Sequence, residues 1–195
     1  MVTALLLLTA TVLNCTLLPS PEPTNTDDVL MQVIADLAAA GAGVTTTRVV
    51  DHTLRSGRFT DLSTQDGWWA IQESLSRSDI VVLATPTWRG RSPWVAQVAV
   101  RQLRSLVAKT PSAASRAPAR PAVGVLLTSD EAAEGADSEL DLRVADLDLA
   151  LPGLRQWSRA ERGAMVADLV AAAKRPPSSV TADRGSPPAG RSPIT

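Results

Sequence analysis

The sequence predicts an α/β chain built on a parallel sheet, and three observations lead there. Apolar runs of the kind that parallel strands need on both faces occur around residues 4–14, 79–85 and 122–128. Between them lie segments whose apolar residues recur at helical spacing, such as Val29, Leu30, Val33, Ile34 and Leu37. Strand and helix then alternate along the chain, which places helices on both faces of one sheet.

Each element has its own justification. Residues 4–14 read as the first strand, with no local signal for where it starts. The helix after it opens near Asp27, and Asp27 and Asp28 suit the positive end of its dipole. Gly41 and Gly43 end that helix, and Val44–Val50 alternates as a second strand. A polar loop from Asp51 to Asp66 contains His52, expected to be exposed. Trp68, Ile71 and Leu75 share one face of a helix ending near Arg77, so Trp68 and Trp69 divide between core and surface. Asp79–Thr85 is the third strand, broken by Pro86, and Pro93 starts a helix that runs to Ala108. Residues 110–121 are a Pro- and Ser-rich loop, followed by a fourth strand over Ala122–Thr128. Beyond Asp130, Leu140, Leu142 and Val144 alternate like a strand, while Leu140, Val144, Leu147 and Leu151 fit a helix equally well. A terminal helix is expected over Trp157–Ala173, stopped by Pro176 and Pro177. Residues 1–174 thus form one domain, and 175–195 a disordered tail rich in Pro, Ser, Gly and Arg.

Composition narrows the function. A net charge of −1 gives no reason to expect nucleic acid or an anionic membrane as partner. A single cysteine, Cys15, and a single histidine, His52, exclude an intrachain disulfide, a Cys-rich zinc site and a His-based metalloprotease motif. Cys15 reads as a small packing residue with a reduced thiol. No Gly-Lys pair occurs, so there is no phosphate-binding P-loop. No charged side chain precedes Glu22, yet the basic start of a signal peptide is missing, and Thr9, Thr11, Asn14 and Thr16 interrupt any membrane span. The expectation is a cytoplasmic protein.

Ligands of open parallel sheets bind beyond the carboxyl ends of the strands. Three loops reach that edge here: 15–26, 86–92 and 129–138. The first gathers Thr16, Ser20, Thr24, Asn25 and Thr26 just before a helix, where free N–H groups and the dipole suit a phosphate. Thr24, Asn25 or Thr26 serves equally well as a plain N-cap. The second loop, Thr85-Pro86-Thr87-Trp88-Arg89-Gly90, exposes backbone polar groups beside an indole, as a flat heteroaromatic ring would require; a half-buried Trp in a turn is the other reading. Asn14 stands where a signalling receiver domain would carry an acidic residue, which excludes that class.

Together the segments L-N-C-T-L-L-P-S-P-E-P-T-N-T and A-T-P-T-W-R-G resemble the flavodoxin-like family of NAD(P)H-dependent FMN reductases, over about residues 10–130. The resemblance implies a flavodoxin-like three-layer sandwich with sheet order 2-1-3-4-5, whose fifth strand the sequence does not place. It implies FMN as cofactor and NAD(P)H as co-substrate, with electrons passed to a small acceptor such as a flavin or quinone. By the same resemblance, Thr16, Ser20, Thr24, Asn25 and Thr26 surround the FMN phosphate, and Pro86, Thr87, Trp88, Arg89 and Gly90 border the flavin ring. The family's third loop, Thr-Gly-Asn, is here Thr128-Ser129-Asp130, so only Thr128 carries over. No catalytic side chain and no metal ligand is implied, since the cofactor carries the redox chemistry. Arg89 and Arg91 either attract the nicotinamide phosphate or are solvated. Family members are often dimers, so a homodimer is the default. The alternative function is a flavodoxin-like domain without cofactor that serves in protein contacts.

Overall fold

The computed structural model describes residues 8–52, 68–87, 91–108, 121–128, 147 and 155–175. Five strands form one parallel sheet: β1 (Leu8–Asn14), β2 (Ala42–Arg48), β3 (Ile80–Thr85), β4 (Ala122–Leu127) and β5 (Arg155–Trp157). Their order is β2-β1-β3-β4-β5. Among the described residues four helices accompany them: α1 (Asn25–Ala39), α2 (Trp68–Ser76), α3 (Trp94–Ala108) and α4 (Arg162–Ala173).

The pleat of the strands sorts side chains onto two faces. Leu13, Val81, Leu83, Val125 and Leu127 point to one, where they pack with Trp68, Ile71 and Leu75 of α2 and Val95, Ala99 and Leu103 of α3. Ala10, Val12, Ile80, Val82, Ala84 and Leu126 point to the other, against Val29, Val33 and Leu37 of α1 and Met165, Val166 and Leu169 of α4. Every residue of β3 is buried, which is why that strand is the most legible in the sequence. Trp68 is buried and Trp69 exposed, as the helical stripe implies.

Three elements depart from the sequence reading. β2 begins at Ala42, two residues before Val44, because Gly41 alone makes the turn: its φ of +88° is open to glycine and strained for other residues. Gly43 lies within the strand, and Val49–Asp51 is a 3₁₀ turn instead of the strand's end. Trp157 does not open the terminal helix. It closes β5, whose three residues are too few to show a period, and α4 starts at Arg162. β5 reaches β4 through Gly124, where a Cβ would lie 2.7 Å from the Trp157 ring. The readings of 53–66 and 110–120 as loops, of 139–151 except Leu147, and of the tail beyond Arg175 lie outside the described residues. Leu147 itself is buried in the core that holds α2 and α3.

Candidate functional site

Because all five strands are parallel, β1, β3 and β4 end at one edge, and the segments that leave them there are brought together. Cys15 N donates to Ala84 O (2.8 Å) and Thr128 N to Thr85 O (3.0 Å), so the ladder continues one residue past each strand. The hydroxyls of Thr26, in the first turn of α1, and Thr128, at the end of β4, are 2.8 Å apart. The first turn of α1 and the end of β4 therefore meet directly, with Thr85 bonded to Thr128 beside them and Pro86 and buried Thr87 following it. Trp88, Arg89 and Gly90, expected at the flavin ring, lie outside the described residues, as does loop 129–138. Arg91 is described and exposed.

Three of these hydroxyls are deeply buried: Thr16 is 4% exposed, Thr26 2% and Thr128 1%. Thr26 and Thr128 bring two O–H donors and use one on each other. Thr16 only accepts, from Leu18 N at 3.5 Å. Among the described residues, the rim thus carries O–H donors that have no acceptor. Buried donors normally find one.

The loop itself is held by four residues that the sequence reading did not assign to the site. Asn14 is buried at the end of β1; its Nδ2 donates to Asp27 Oδ1 (2.7 Å) and its Oδ1 accepts from Thr16 N (3.0 Å). Asp27 forms a capping box with Thr24: Thr24 N and Oγ1 each donate to Oδ2 at 2.8 Å, while Asp27 N donates to Thr24 Oγ1 at 3.3 Å. Thr24 is therefore the N-cap, as one of the two sequence readings has it. Arg48, at the end of β2, places Nη2 2.7 Å from both Asp27 oxygens, while Nη1 donates to Leu18 O (3.3 Å) and Glu22 O (2.7 Å). Asp51 accepts from Ser20 N (2.8 Å) and Ser20 Oγ (2.7 Å). The Thr-x-x-Asp spacing of the box is visible in the sequence. Nothing local marks Asn14, Arg48 or Asp51.

These bonds set the charges. Burial pushes the Asp27 carboxyl up, but the hydrogen bonds from Thr24 and Arg48 outweigh it and hold the group below the ordinary carboxylate range. A carboxyl depressed in the folded state contributes stability above its unfolded pKa, and that contribution is lost as pH falls through the folded value. The denaturation midpoint of the native protein is therefore expected to exceed that of Asp27→Asn at pH 7. The gap should close as pH drops below about 4. Guanidinium titrations of both proteins across that range measure it, and a gap independent of pH would contradict the assignment. Burial pushes the Cys15 thiol far up, so no thiolate forms at neutral pH and the side chain packs as expected.

A polar cleft of about 420 Å³ opens beside the loop, lined by Asn14, Ser20, Asp27, Thr46, Thr47, Arg48, Asp51 and His52. It lies on the β2 side of β1, not at the β1/β3 crevice where the strand order reverses. His52 is half-buried on its wall, where an exposed loop residue was expected. Among the described residues no group of three or more His, Cys, Asp or Glu is placed to hold a metal ion, and no helix is long and apolar enough to cross a membrane.

The fold has counterparts among solved structures. RosB, in a crystal structure with the bound intermediate 8-demethyl-8-formylriboflavin-5'-phosphate, superposes with a TM-score of 0.64 at 19% identity, over 85% of this chain and 79% of its own. The fold is flavodoxin-like. A protein of Klebsiella pneumoniae assigned as a quinone reductase shares it at a TM-score of 0.50 and 14% identity, covering 85% of this chain and 82% of that one. So does rubredoxin oxygen:oxidoreductase of Desulfovibrio gigas, at 0.51 and 10%, over 85% of this chain and 36% of that one. At such identities the likeness is one of flavodoxin-like architecture. No family model matches the chain. In sequence, 100 residues (49% of the chain) are 30% identical to the divalent metal cation transporter MntH of Mycobacterium bovis. The match spans only 15% of that transporter's length.

Proposed function

We propose that this chain binds FMN at the strand-end rim and works as an oxidoreductase, taking electrons from NAD(P)H and passing them to a small acceptor such as a flavin or quinone. The observation that carries the reading is the set of buried hydroxyls whose O–H donors find no acceptor among the described residues, Thr16 and the Thr26–Thr128 pair, beside the N-terminus of α1. A phosphate monoester offers only acceptors and carries negative charge, so donors of this kind and a helix N-terminus fit it. In this reading Thr16, Asn25, Thr26 and Thr128 meet the phosphate, while Ser20 and Thr24 shape the loop around it. Pro86 and Thr87 begin the segment that borders the ring, and Trp88, Arg89 and Gly90 complete it. FMN, when bound, supplies the hydride and electron transfer. The chain's own task is to hold the isoalloxazine at the rim, to exclude water from the phosphate and to leave one ring face open to the nicotinamide.

Titration of the purified protein with FMN, followed by quenching of flavin fluorescence, tests this. Native protein is expected to bind. Thr26→Val and Thr128→Val keep the shape and remove one hydroxyl each, and each should weaken binding by about 1–2 kcal/mol, roughly tenfold. A folded sample that leaves added FMN unquenched would sink the proposal.

One observation favours a second reading. The N–H groups of Cys15, Thr16, Leu18, Ser20, Glu22, Thr24 and Asp27 are already bonded within the protein. A carboxylate, Asp27, also stands at the helix N-terminus. A flavodoxin-like domain that has given up its cofactor and serves in protein contacts would look the same there, and the FMN titration separates the two.

A further inference from the structure

Loop 15–24 leaves β1, yet two of the groups that hold it, Arg48 and Asp51, come from the end of β2, some thirty positions along the chain. Asp51 takes both the amide and the hydroxyl of Ser20 (2.8 and 2.7 Å), and the two residues are 31 positions apart. Arg48 uses three of its directions at once: Leu18 O, Glu22 O and the Asp27 carboxylate. A guanidinium can serve carbonyls and a carboxylate in one plane, which an ammonium cannot. The result is a brace across the loop on the side away from the Thr26–Thr128 pair, and the 420 Å³ cleft is its outer face.

We propose that Asp51 and Arg48 are positioning residues for the ligand of this rim: they set the loop's shape from behind, and Ser20 acts through Asp51 instead of touching the phosphate. This rests on the FMN reading. Its basis is that both Ser20 donors are already committed to Asp51, so neither is available to a phosphate without breaking the brace. The rim hydroxyls, by contrast, have O–H donors with no acceptor among the described residues.

The consequence is a specific pattern of coupling. Residues that form one link lose it once, whichever partner is removed, whereas independent contacts add. Asp51→Ala removes both bonds and Ser20→Ala only the hydroxyl's, so Asp51→Ala is expected to weaken FMN binding by roughly three- to tenfold, Ser20→Ala by less, and the double variant by no more than Asp51→Ala alone. If the double variant instead shows the product of the two single losses, Ser20 touches the ligand itself and the proposal is overturned. Unchanged affinity in all three variants overturns it equally. A second measurement does not depend on FMN. In the free protein, amide hydrogen exchange over residues 17–22 should speed up in Asp51→Ala and in Arg48→Lys, with the amides of β1 and β3 unaffected. Exchange that stays at the native rate refutes the brace. Native protein that fails to bind FMN but shows this faster exchange in the variants refutes the cofactor reading and leaves the brace standing, its ligand then being of another class.

Discussion

Trp157→Ala is expected to remove about 3–5 kcal/mol of stability, a large part of what a domain of this size holds. The indole is 5% exposed and is packed in the core formed with α1 and α4. It fits because Gly124, two positions along β4 from the residue paired with Trp157, has no side chain: a Cβ there would stand 2.7 Å from Cζ3 of the ring and 3.1 Å from Leu169 Cδ1. Arg155 lies over the ring at 4.7 Å, which adds a smaller cation–π attraction. Truncating the indole leaves a cavity under β5, the shortest strand and the edge of the sheet. The same contact has a mirror-image test. Gly124→Ala overfills it and should cost about 1–3 kcal/mol, since the added Cβ would meet both the ring and the two methyls of Leu169, at 3.1 and 3.3 Å. With Trp157 already truncated, the added methyl falls into the cavity, so the double variant should be less destabilised than the sum. Guanidinium midpoints of the four proteins measure this. Additive losses would mean that β5 does not dock as described.

The second large effect is expected at Asn14. Its carboxamide is buried and works in both directions, donating to Asp27 and accepting from Thr16 N. Leucine has nearly the same size and can do neither. Asn14→Leu leaves a buried N–H without a partner and takes one donor from a carboxylate, at a cost of about 2–4 kcal/mol. Asn14→Asp separates the two roles. It still accepts from Thr16, but it sets a second carboxylate against Asp27 where a donor stood at 2.7 Å. Asn14→Asp should therefore be destabilised at pH 7 and recover towards the native midpoint as acid protonates one of the pair, whereas Asn14→Leu should not recover. If both variants show the same pH profile, the amide is not the link between β1 and α1. Loss of that link should also loosen the loop that begins at Thr16, so on the FMN proposal both variants bind the cofactor more weakly than native protein.

The features legible in the sequence are those that depend on near neighbours in the chain. The buried run Ile80–Thr85, the stripe Val29, Leu30, Val33 and Leu37, and the position of Thr24 before its first helical turn are local patterns. A strand or helix expresses its burial as a period along its own length. Alternation of such elements sufficed for a parallel sheet. The features that escaped have no period to show. β5 is three residues long, and its place is decided by a glycine on another strand. The two-residue shift of β2 comes from which of two glycines takes a positive φ.

The site divides along the same line. That hydroxyls gather near residues 15–26 is a property of composition. Which of them are engaged and which are free is a property of partners. Thr24 is taken by Asp27, three positions on, and Ser20 by Asp51; Thr26 meets Thr128 across 102 positions. Asn14, Arg48 and Asp51 look ordinary in sequence because a hydrogen bond is chosen by distance in space, and only the folded sheet brings the end of β2 against the loop after β1.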